Sequence, residues 1–541
     1  MLQGLKSQNY LKGAAILAAA SALAKIISAI YKIPLYNIMD AAGRGTFQVT
    51  YNVFTLILAI STAGVPAALS RMVSTARAGG NTKLAKRYFA VALPTFIVIG
   101  IAAMLIMFFF ADSFAAFMNN SLAAQGIRVL APAVFFACII AVYRGYAQGH
   151  ENMLPTAMSQ IVEVTCKAVI GIAAALWLVH MGYRTDIVSA GAITGVSVGM
   201  GISVPLLILY KRRSDRGMAL SEGGVQDSGG APKIFLNIMK VSFPITLSAV
   251  FMSLMVVIDS RIVLGRLQAV LGFTEIQASE HFGIYALGLT VYNLPPAIVV
   301  PVSVSIIPAI AAAIARGRAG EAGVIMQSSL KLVNLIAMPA SVGLIVLANP
   351  ILIALYNYDL PLATTILRVL GAASFFVCLQ YITTAFLQAN GHERVSFFTF
   401  PTGAIVKILI AYFLSGNPNI GIVASPIGTL ACFIVISALN ILIIKARVKD
   451  GPKFRKVFLR PLLCSAVMGV ASFGAYELLR MLGPYTAGLG QNAVRLYLVL
   501  AILVGISVYG VLIVLTRTVT MDDMMLVPKG AKLAKLLRIR N

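Results

Sequence analysis

Residues 128–138 read RVLAPAVFFAC, and residues 368–378 read RVLGAASFFVC. The two stretches lie 240 positions apart and keep an arginine, a Phe-Phe pair and a cysteine in register. The match continues at the same offset: Ala133 with Ala373, Gln148 with Gln388, and Lys167 with Lys407 in the next apolar run. A second pairing, offset by 242, aligns STAGVPAAL from Ser61 with SVSIIPAIA from Ser303 and sets Pro66 on Pro308. Apolar matches arise readily in so apolar a chain. An Arg, a Gln and a Lys held in register mark an internal duplication.

Composition says what is duplicated. The 541 residues are 59% hydrophobic and 11% charged, where a soluble domain carries roughly 25% charged residues. Mean hydropathy is +0.90. An aqueous core cannot absorb that much apolar surface, so lipid must be part of the solvent. Apolar runs long enough to span a bilayer fall at 12–38, 47–70, 88–111, 127–148, 156–180, 187–210, 234–263, 282–310, 329–348, 362–388, 395–415, 420–444, 458–481 and 493–516. The chain is therefore expected to be an all-α polytopic membrane protein with about fourteen helices. The first run, with Lys25 and Lys32 inside it, reads as a span rather than a cleavable signal peptide.

Six spans separate the two copies, an even number, so both halves point the same way across the bilayer. This is a parallel repeat, with a pseudo-twofold axis along the membrane normal. The expected organisation is an N-lobe over 1–210, a linker over 211–233 and a C-lobe over 234–446. Two appended spans over 447–516 and a basic tail over 517–541 follow. Two such bundles around a central cavity suit alternating access.

Charge orients the chain. Net charge is +25, and the basic clusters KRRSDR (211–216), KARVKDGPKFRK (445–456) and KGAKLAKLLRIRN (529–541) fall on one side. The positive-inside rule then sets both termini in the cytoplasm. Membrane lipids, not nucleic acid, are the expected partners of this charge, because it flanks spans and forms no separate domain. The cysteines Cys138, Cys166, Cys378, Cys432 and Cys464 sit far apart in apolar runs. The histidines His150, His180, His281 and His392 are scattered, so no metal site is expected. No Walker A loop or other nucleotide motif occurs in the sequence. The protein reads as a carrier without a cofactor, with membrane potential, H+ and Na+ open as its drive.

Charges inside spans cost at least about 2.5–3.5 kcal/mol each and need a partner or a task. Ser21, Lys25, Ser28 and Lys32 recur at i, i+4, i+7 and i+11, one face of the first span. Arg144 and Gln148 share a face near the cytoplasmic end of span four, and Arg71 closes span two. Glu163 and Lys167 stand at i, i+4, either as a mutually neutralising pair or as cavity residues. Lys407 faces Gly403 where its equivalent faces Glu163. Asp259 and Arg261, near the outer end of span seven, read as a local ion pair or as an ion or gating pair. The cations outnumber the carboxylates, which suits an anionic headgroup such as a pyrophosphate.

Three stretches carry a family resemblance: LKGAAILAAASALAKIISAIYKIPLYNIM (11–39), STAGVPAALSRMVS (61–74) and RGYAQGHENMLPTAMSQIVE (144–163). They resemble the polysaccharide-biosynthesis branch of the multidrug/oligosaccharidyl-lipid/polysaccharide exporter superfamily. Within it they are most similar to the group of stage V sporulation protein B, YtgP and the MurJ-like lipid II flippases. The resemblance implies two six-helix lobes plus an extra pair in a bacterial plasma membrane. It also implies outward flipping of an undecaprenyl-pyrophosphate-linked cell-wall precursor, lipid II or a related lipid-linked oligosaccharide, in concert with cell-wall synthesis enzymes. Gram-negative members use arginines in spans one, two and eight. Lys25 and Lys32 fall near the two span-one positions, while the span-two stretch LILAIST and the span-eight stretch YALGLTVYNLP carry no arginine. Arg71, Arg144 and Lys167 then stand in, or the substrate differs. The sodium site of some relatives has Asp259 as its one candidate here. A cation-coupled multidrug exporter of the same superfamily and a non-transporting sporulation or wall-synthesis scaffold remain the alternatives.

Overall fold

The structure, a computed structural model, describes residues 17, 19–216, 230–357, 360–448, 450–481 and 491–516. Residues 12–16 of the first apolar run, 217–229 of the linker and the tail 517–541 lie outside them. Among the described residues there are helices and short 3-10 turns and no strand. Thirteen helical segments are long and apolar enough to cross a membrane. They match thirteen of the fourteen expected spans, and the fourteenth is the first run, helical over 19–30 (α1).

The chain divides into two compact units, Met1–Ala286 and Leu287–Asn541. This division follows packing, whereas the lobes 1–210 and 234–446 follow sequence equivalence. In the first unit α1 leads into α2 (Lys32–Ile38), α3 (Ala41–Thr62), α4 (Val65–Ala78), α5 (Thr82–Phe109), α6 (Ala111–Phe117), α7 (Ala123–Gly149), α8 (Leu154–His180), α9 (Thr185–Arg216) and α10 (Ala231–Ala269). Helix α11 (Glu275–Tyr292) crosses the boundary. The second unit holds α12 (Leu294–Ala315), α13 (Ala319–Val346), α14 (Ala348–Tyr356), α15 (Pro361–Ala389), α16 (Ser396–Leu414), α17 (Ala424–Arg447), α18 (Phe454–Met481) and α19 (Gln491–Leu515).

The duplication is visible element by element. A long helix, a short one and three long ones run α5–α9 and again α13–α17. The short helices α6 and α14 are each followed by an asparagine in the left-handed region, Asn119 (φ 53) and Asn357 (φ 58), where Asn is tolerated better than most residues. The turns after α7 and α15 also agree: Glu151 (φ 60) holds the place that Gly391 (φ 75) holds in the second copy. The quoted stretch lies in α7 and α15, the central helix of each unit. Helix α7 packs against α3, α4, α5 and α9, and α15 against α12, α13 and α17. Cys138 and Cys378 are both fully buried there. Conserving volume at such crowded positions avoids cavity and overpacking costs of about 1–5 kcal/mol.

The aligned prolines do different work. Pro66 sits in the first turn of α4, where its missing N–H costs nothing, while Pro308 lies inside α12. In the stretch 293–303 the chain breaks at Asn293, with Pro295 and Pro296 starting α12 and Pro301 inside it. The repeated arginines also diverge. Arg128 binds Asp112 of α6, whereas Arg368 is exposed. The appended helices dock on the second unit, where Tyr509 Oη donates to the Leu335 carbonyl at 3.1 Å and Arg495 Nε to the Ala354 carbonyl at 3.1 Å. Large apolar side chains stay exposed along α5 (Val98, Phe109) and α8 (Val169, Trp177), the faces left for lipid.

Candidate functional site

The site grows from the end of α1. Pro34 has no N–H to give the carbonyl four residues back, and the chain turns at Tyr31 before α2 begins. Tyr31 and Tyr36 end up buried and Lys32 half-buried beside α3. Asp40 caps α3, accepting from Gly43 N at 2.8 Å and from Thr185 Oγ1 at 2.7 Å, which ties the turn to the start of α9.

Helix α3 presents a polar stripe, Arg44, Gln48, Tyr51 with Asn52, and Thr55, at the 3.6-residue period. Lys32 Nζ donates to Gln48 Oε1 at 3.3 Å, and Tyr36 Oη reaches the same oxygen at 3.4 Å. Gln48 Nε2 passes a bond to Asn52 Oδ1 at 2.9 Å, and Asn52 Nδ2 another to Ser260 Oγ of α10 at 2.9 Å. Two ammonium groups meet over one ring: Lys32 Nζ is 5.7 Å and Lys167 Nζ 4.8 Å from the centroid of Tyr51. Lys167 also donates to Tyr51 Oη at 3.4 Å and lies 4.9 Å from the Tyr31 ring. Lys167 is buried, with 7% of its surface exposed. The rings supply quadrupole attraction and exclude water, yet carry no net negative charge. Two cations held so close in a low dielectric favour an anion between or beside them.

Glu163 is committed elsewhere. Arg144 Nη2 binds Glu163 Oε2 at 3.0 Å and Arg144 Nε donates to Ser159 Oγ at 2.9 Å. The guanidinium thus spans two positions one turn apart on α8, and the carboxylate pairs across helices with Arg144. Gln148 Nε2 donates to Thr156 Oγ1 at 3.3 Å, a helix-to-helix tie just beyond.

The first-span stripe is divided in its contacts. Ser21 Oγ donates to Gln160 Oε1 of α8 at 3.0 Å, Ser28 is half-buried, and Lys25 is exposed. Arg71 is exposed on α4, some twenty residues beyond Tyr51. Asp259 is buried in α10 at 3% exposure, while Arg261 is exposed. Arg261 Nε donates to the Phe117 carbonyl at 2.9 Å and its guanidinium lies 4.3 Å from the Phe117 ring. Residues two apart on a helix point away from each other. Lys407 is buried in α16 of the second unit. The structure therefore gathers Lys32 and Lys167 with Tyr31, Tyr36, Gln48, Tyr51 and Asn52, and sets Arg144 with Glu163 beside them. Sequence reading missed the tyrosines and the α3 stripe, and it placed Arg44, 1% exposed, outside the span. The stripe's period was the available signal. No cluster of metal-ligating side chains occurs among the described residues.

The profile of the family described as "Polysaccharide biosynthesis protein" matches residues 10–314. The chain is 26% identical to the uncharacterized membrane protein YabM of Bacillus subtilis (strain 168), over 99% of this chain and 98% of that one. It is 23% identical to stage V sporulation protein B of the same organism, over 88% and 93%. It is 25% identical to that organism's lipid II flippase MurJ, over 93% and 94%. Among solved structures, lipid II flippase MurJ in an inward closed conformation superposes with a TM-score of 0.66 at 15% identity, over 92% of this chain and 97% of that one. A multidrug resistance MATE family transporter of the MOP superfamily, inward-facing, gives 0.61 at 14% identity, over 80% and 98%. At such identities these two likenesses are of fold.

Proposed function

The chain belongs to the polysaccharide biosynthesis protein family, and from that premise we propose that it is a flippase for an undecaprenyl-pyrophosphate-linked cell-wall precursor. Lipid II, or a related lipid-linked oligosaccharide, enters from the inner leaflet of a bacterial plasma membrane, with both protein termini in the cytoplasm. Its polyprenyl tail stays in lipid while the pyrophosphate headgroup crosses through the protein by alternating access of two lobes. The chain performs no covalent chemistry on it, and cell-wall synthesis enzymes consume the outward product.

One observation supports this reading above the rest: Lys32 and Lys167 over the single ring of Tyr51, with the neighbouring Glu163 already engaged by Arg144. A pyrophosphate supplies the missing negative charge and accepts from both ammoniums and from the carboxamide of Gln48. An exporter of cationic drugs needs a carboxylate open to its cargo, and Glu163 is held by a guanidinium.

The test is the accessibility of lipid II at the outer surface of cells depleted of this protein and of any redundant flippase. An impermeant probe or a headgroup-cleaving toxin reads it. Wild type restores outward lipid II, and a Lys32→Ala, Lys167→Ala double variant present in the membrane at wild-type level does not. Full restoration by the double variant refutes the headgroup site. Outward lipid II that never depends on the protein refutes the substrate.

A further inference from the structure

A basic concavity lies at the other end of the first unit's α3–α4 span from the lysine pair. A cavity of about 520 Å³ opens between α4, α5 and the start of α10. Arg71, Lys240, Asn237, Asn81, Thr75 and Tyr88 supply its polar lining, and small and apolar residues of the same helices line the rest. None of its lining residues is a carboxylate. Asn81 caps α5, its side chain accepting from Leu84 N at 2.8 Å, so the positive end of that helix dipole faces the same region. Further cations, Arg77, Lys83, Lys86 and Arg87, flank the α4–α5 turn in sequence.

Tyr51 and Arg71 are twenty residues apart, about 30 Å of helix at 1.5 Å per residue. A single pyrophosphate group held by Lys32 and Lys167 is therefore out of reach of Arg71 and Lys240. We propose that this cavity is a separate docking site for the pyrophosphate group of the polyprenyl-linked precursor, at which the anionic headgroup is first captured before it passes to the lysine pair. Arg71 offers a planar fork matched to phosphate oxygens, Lys240 a compact second charge, and Asn237 and Tyr88 neutral donors at the sides. The positive-inside orientation sets this end at the cytoplasmic face, where a lipid-linked precursor is loaded. The proposal rests on the flippase reading and adds a site to it. A pyrophosphate can reach the cavity on a polyprenyl lipid or free in solution, and the experiment separates the two.

The full-length protein in lipid nanodiscs is titrated with undecaprenyl pyrophosphate in one arm and with inorganic pyrophosphate in the other. Wild type is compared with Arg71→Gln, Lys240→Gln and with Lys32→Ala, Lys167→Ala, and the thermal midpoint of each is recorded as a fold control. The expected result is a rise of tenfold or more in the lipid Kd for the Arg71, Lys240 pair at an unchanged thermal midpoint. A rise confined to the inorganic arm assigns the cavity to a soluble pyrophosphate and overturns its loading role. Unchanged binding in both arms, with binding lost in the Lys32, Lys167 pair, overturns the cavity site and leaves the flippase reading standing. Binding of neither ligand by wild type overturns both. If the double variant fails to fold, Arg71→Lys decides. It keeps the charge and loses the fork, so a Kd shift of threefold or more supports the site and no shift overturns it.

Discussion

Tyr51 is the residue on which the proposed headgroup site turns, because one side chain serves both lysines. Its ring attracts Lys32 and Lys167, and its hydroxyl accepts from Lys167 at 3.4 Å. Cation–π contacts are worth roughly 0.5–2 kcal/mol depending on desolvation. Tyr51→Phe keeps the ring and removes one bond, so outward delivery of precursor should fall only a few-fold. Tyr51→Leu removes the ring that both ammoniums share, and delivery should fall by more than about tenfold, the equivalent of 1.4 kcal/mol. Equal losses in the two variants would move the burden from ring to hydroxyl. Arg144 and Glu163 call for a different test, because the structure pairs them with each other. Removing either leaves its partner half-buried and uncompensated. Arg144→Gln and Glu163→Gln should each lower the thermal midpoint, and the double variant should lower it by less than their combined effect. A coupling of about 1–3 kcal/mol from the cycle is expected. Additive losses would show that the two side chains act apart. Sequence alone pointed to Glu163 with Lys167 because it sees neighbours within one helix. The choice of Arg144 depends on how α7 lies across α8. Tyr31 and Tyr51 were illegible for a related reason, since an aromatic in an apolar run looks like any lipid-facing or core residue.

At the scale of elements, the crossing of α3 and α11 has the least room. A Cβ placed on Gly283 would run into the Ala41 carbonyl, and one on Gly45 into the Ser279 carbonyl. That proximity lets Thr46 Oγ1 meet Ser279 Oγ at 3.2 Å while Ser279 Oγ donates to the Ala42 carbonyl at 2.9 Å and Asn120 Nδ2 reaches Ser279 Oγ at 3.2 Å. Gly283→Ala should wedge the helices apart and lower stability by about 1–3 kcal/mol. The same change at Gly343, which has nothing within reach of a new Cβ, should be neutral or slightly stabilising. Melting of the detergent-solubilised protein checks both, and equal midpoints would deny the tight crossing. Elements such as α7 and α15 were legible because a helix surrounded by others admits few substitutions, so its apolar pattern survives duplication. Helix α3 was read six residues short because Arg44 and the small polar residues at its start depress the hydropathy of that turn. What hydropathy discards there is the buried polar end of a span. The differing roles of Pro66 and Pro308 were equally out of reach, since alignment matches residue types and not the hydrogen bonds around them.

Over the whole molecule, function depends on which way the chain crosses the bilayer, and here composition speaks more strongly than any single contact. Lys83 and Arg394 sit at turns on the side that the positive-inside rule assigns to the cytoplasm, and Arg184 at a turn on the opposite side; all three are exposed. Single cysteines at these positions, in a background with the five native cysteines replaced, should divide accordingly. Arg184→Cys should react with an impermeant maleimide on intact cells, and Lys83→Cys and Arg394→Cys only after permeabilisation. The reverse pattern would invert the protein and make the lysine site a route inward. The orientation carries an energetic consequence. With the cytoplasm negative, each net negative charge moved outward gains about 2.3 kcal/mol per 100 mV, so an anionic headgroup is driven in the direction that wall synthesis requires. Dissipating the potential at constant pH should therefore slow outward delivery of the precursor. It should slow a Lys32→Ala, Lys167→Ala variant's residual delivery at least as much, because fewer protein cations then offset the moving charge. Delivery that ignores the potential in both would mean that protein cations travel with the headgroup and cancel its charge, or that an ion gradient provides the drive.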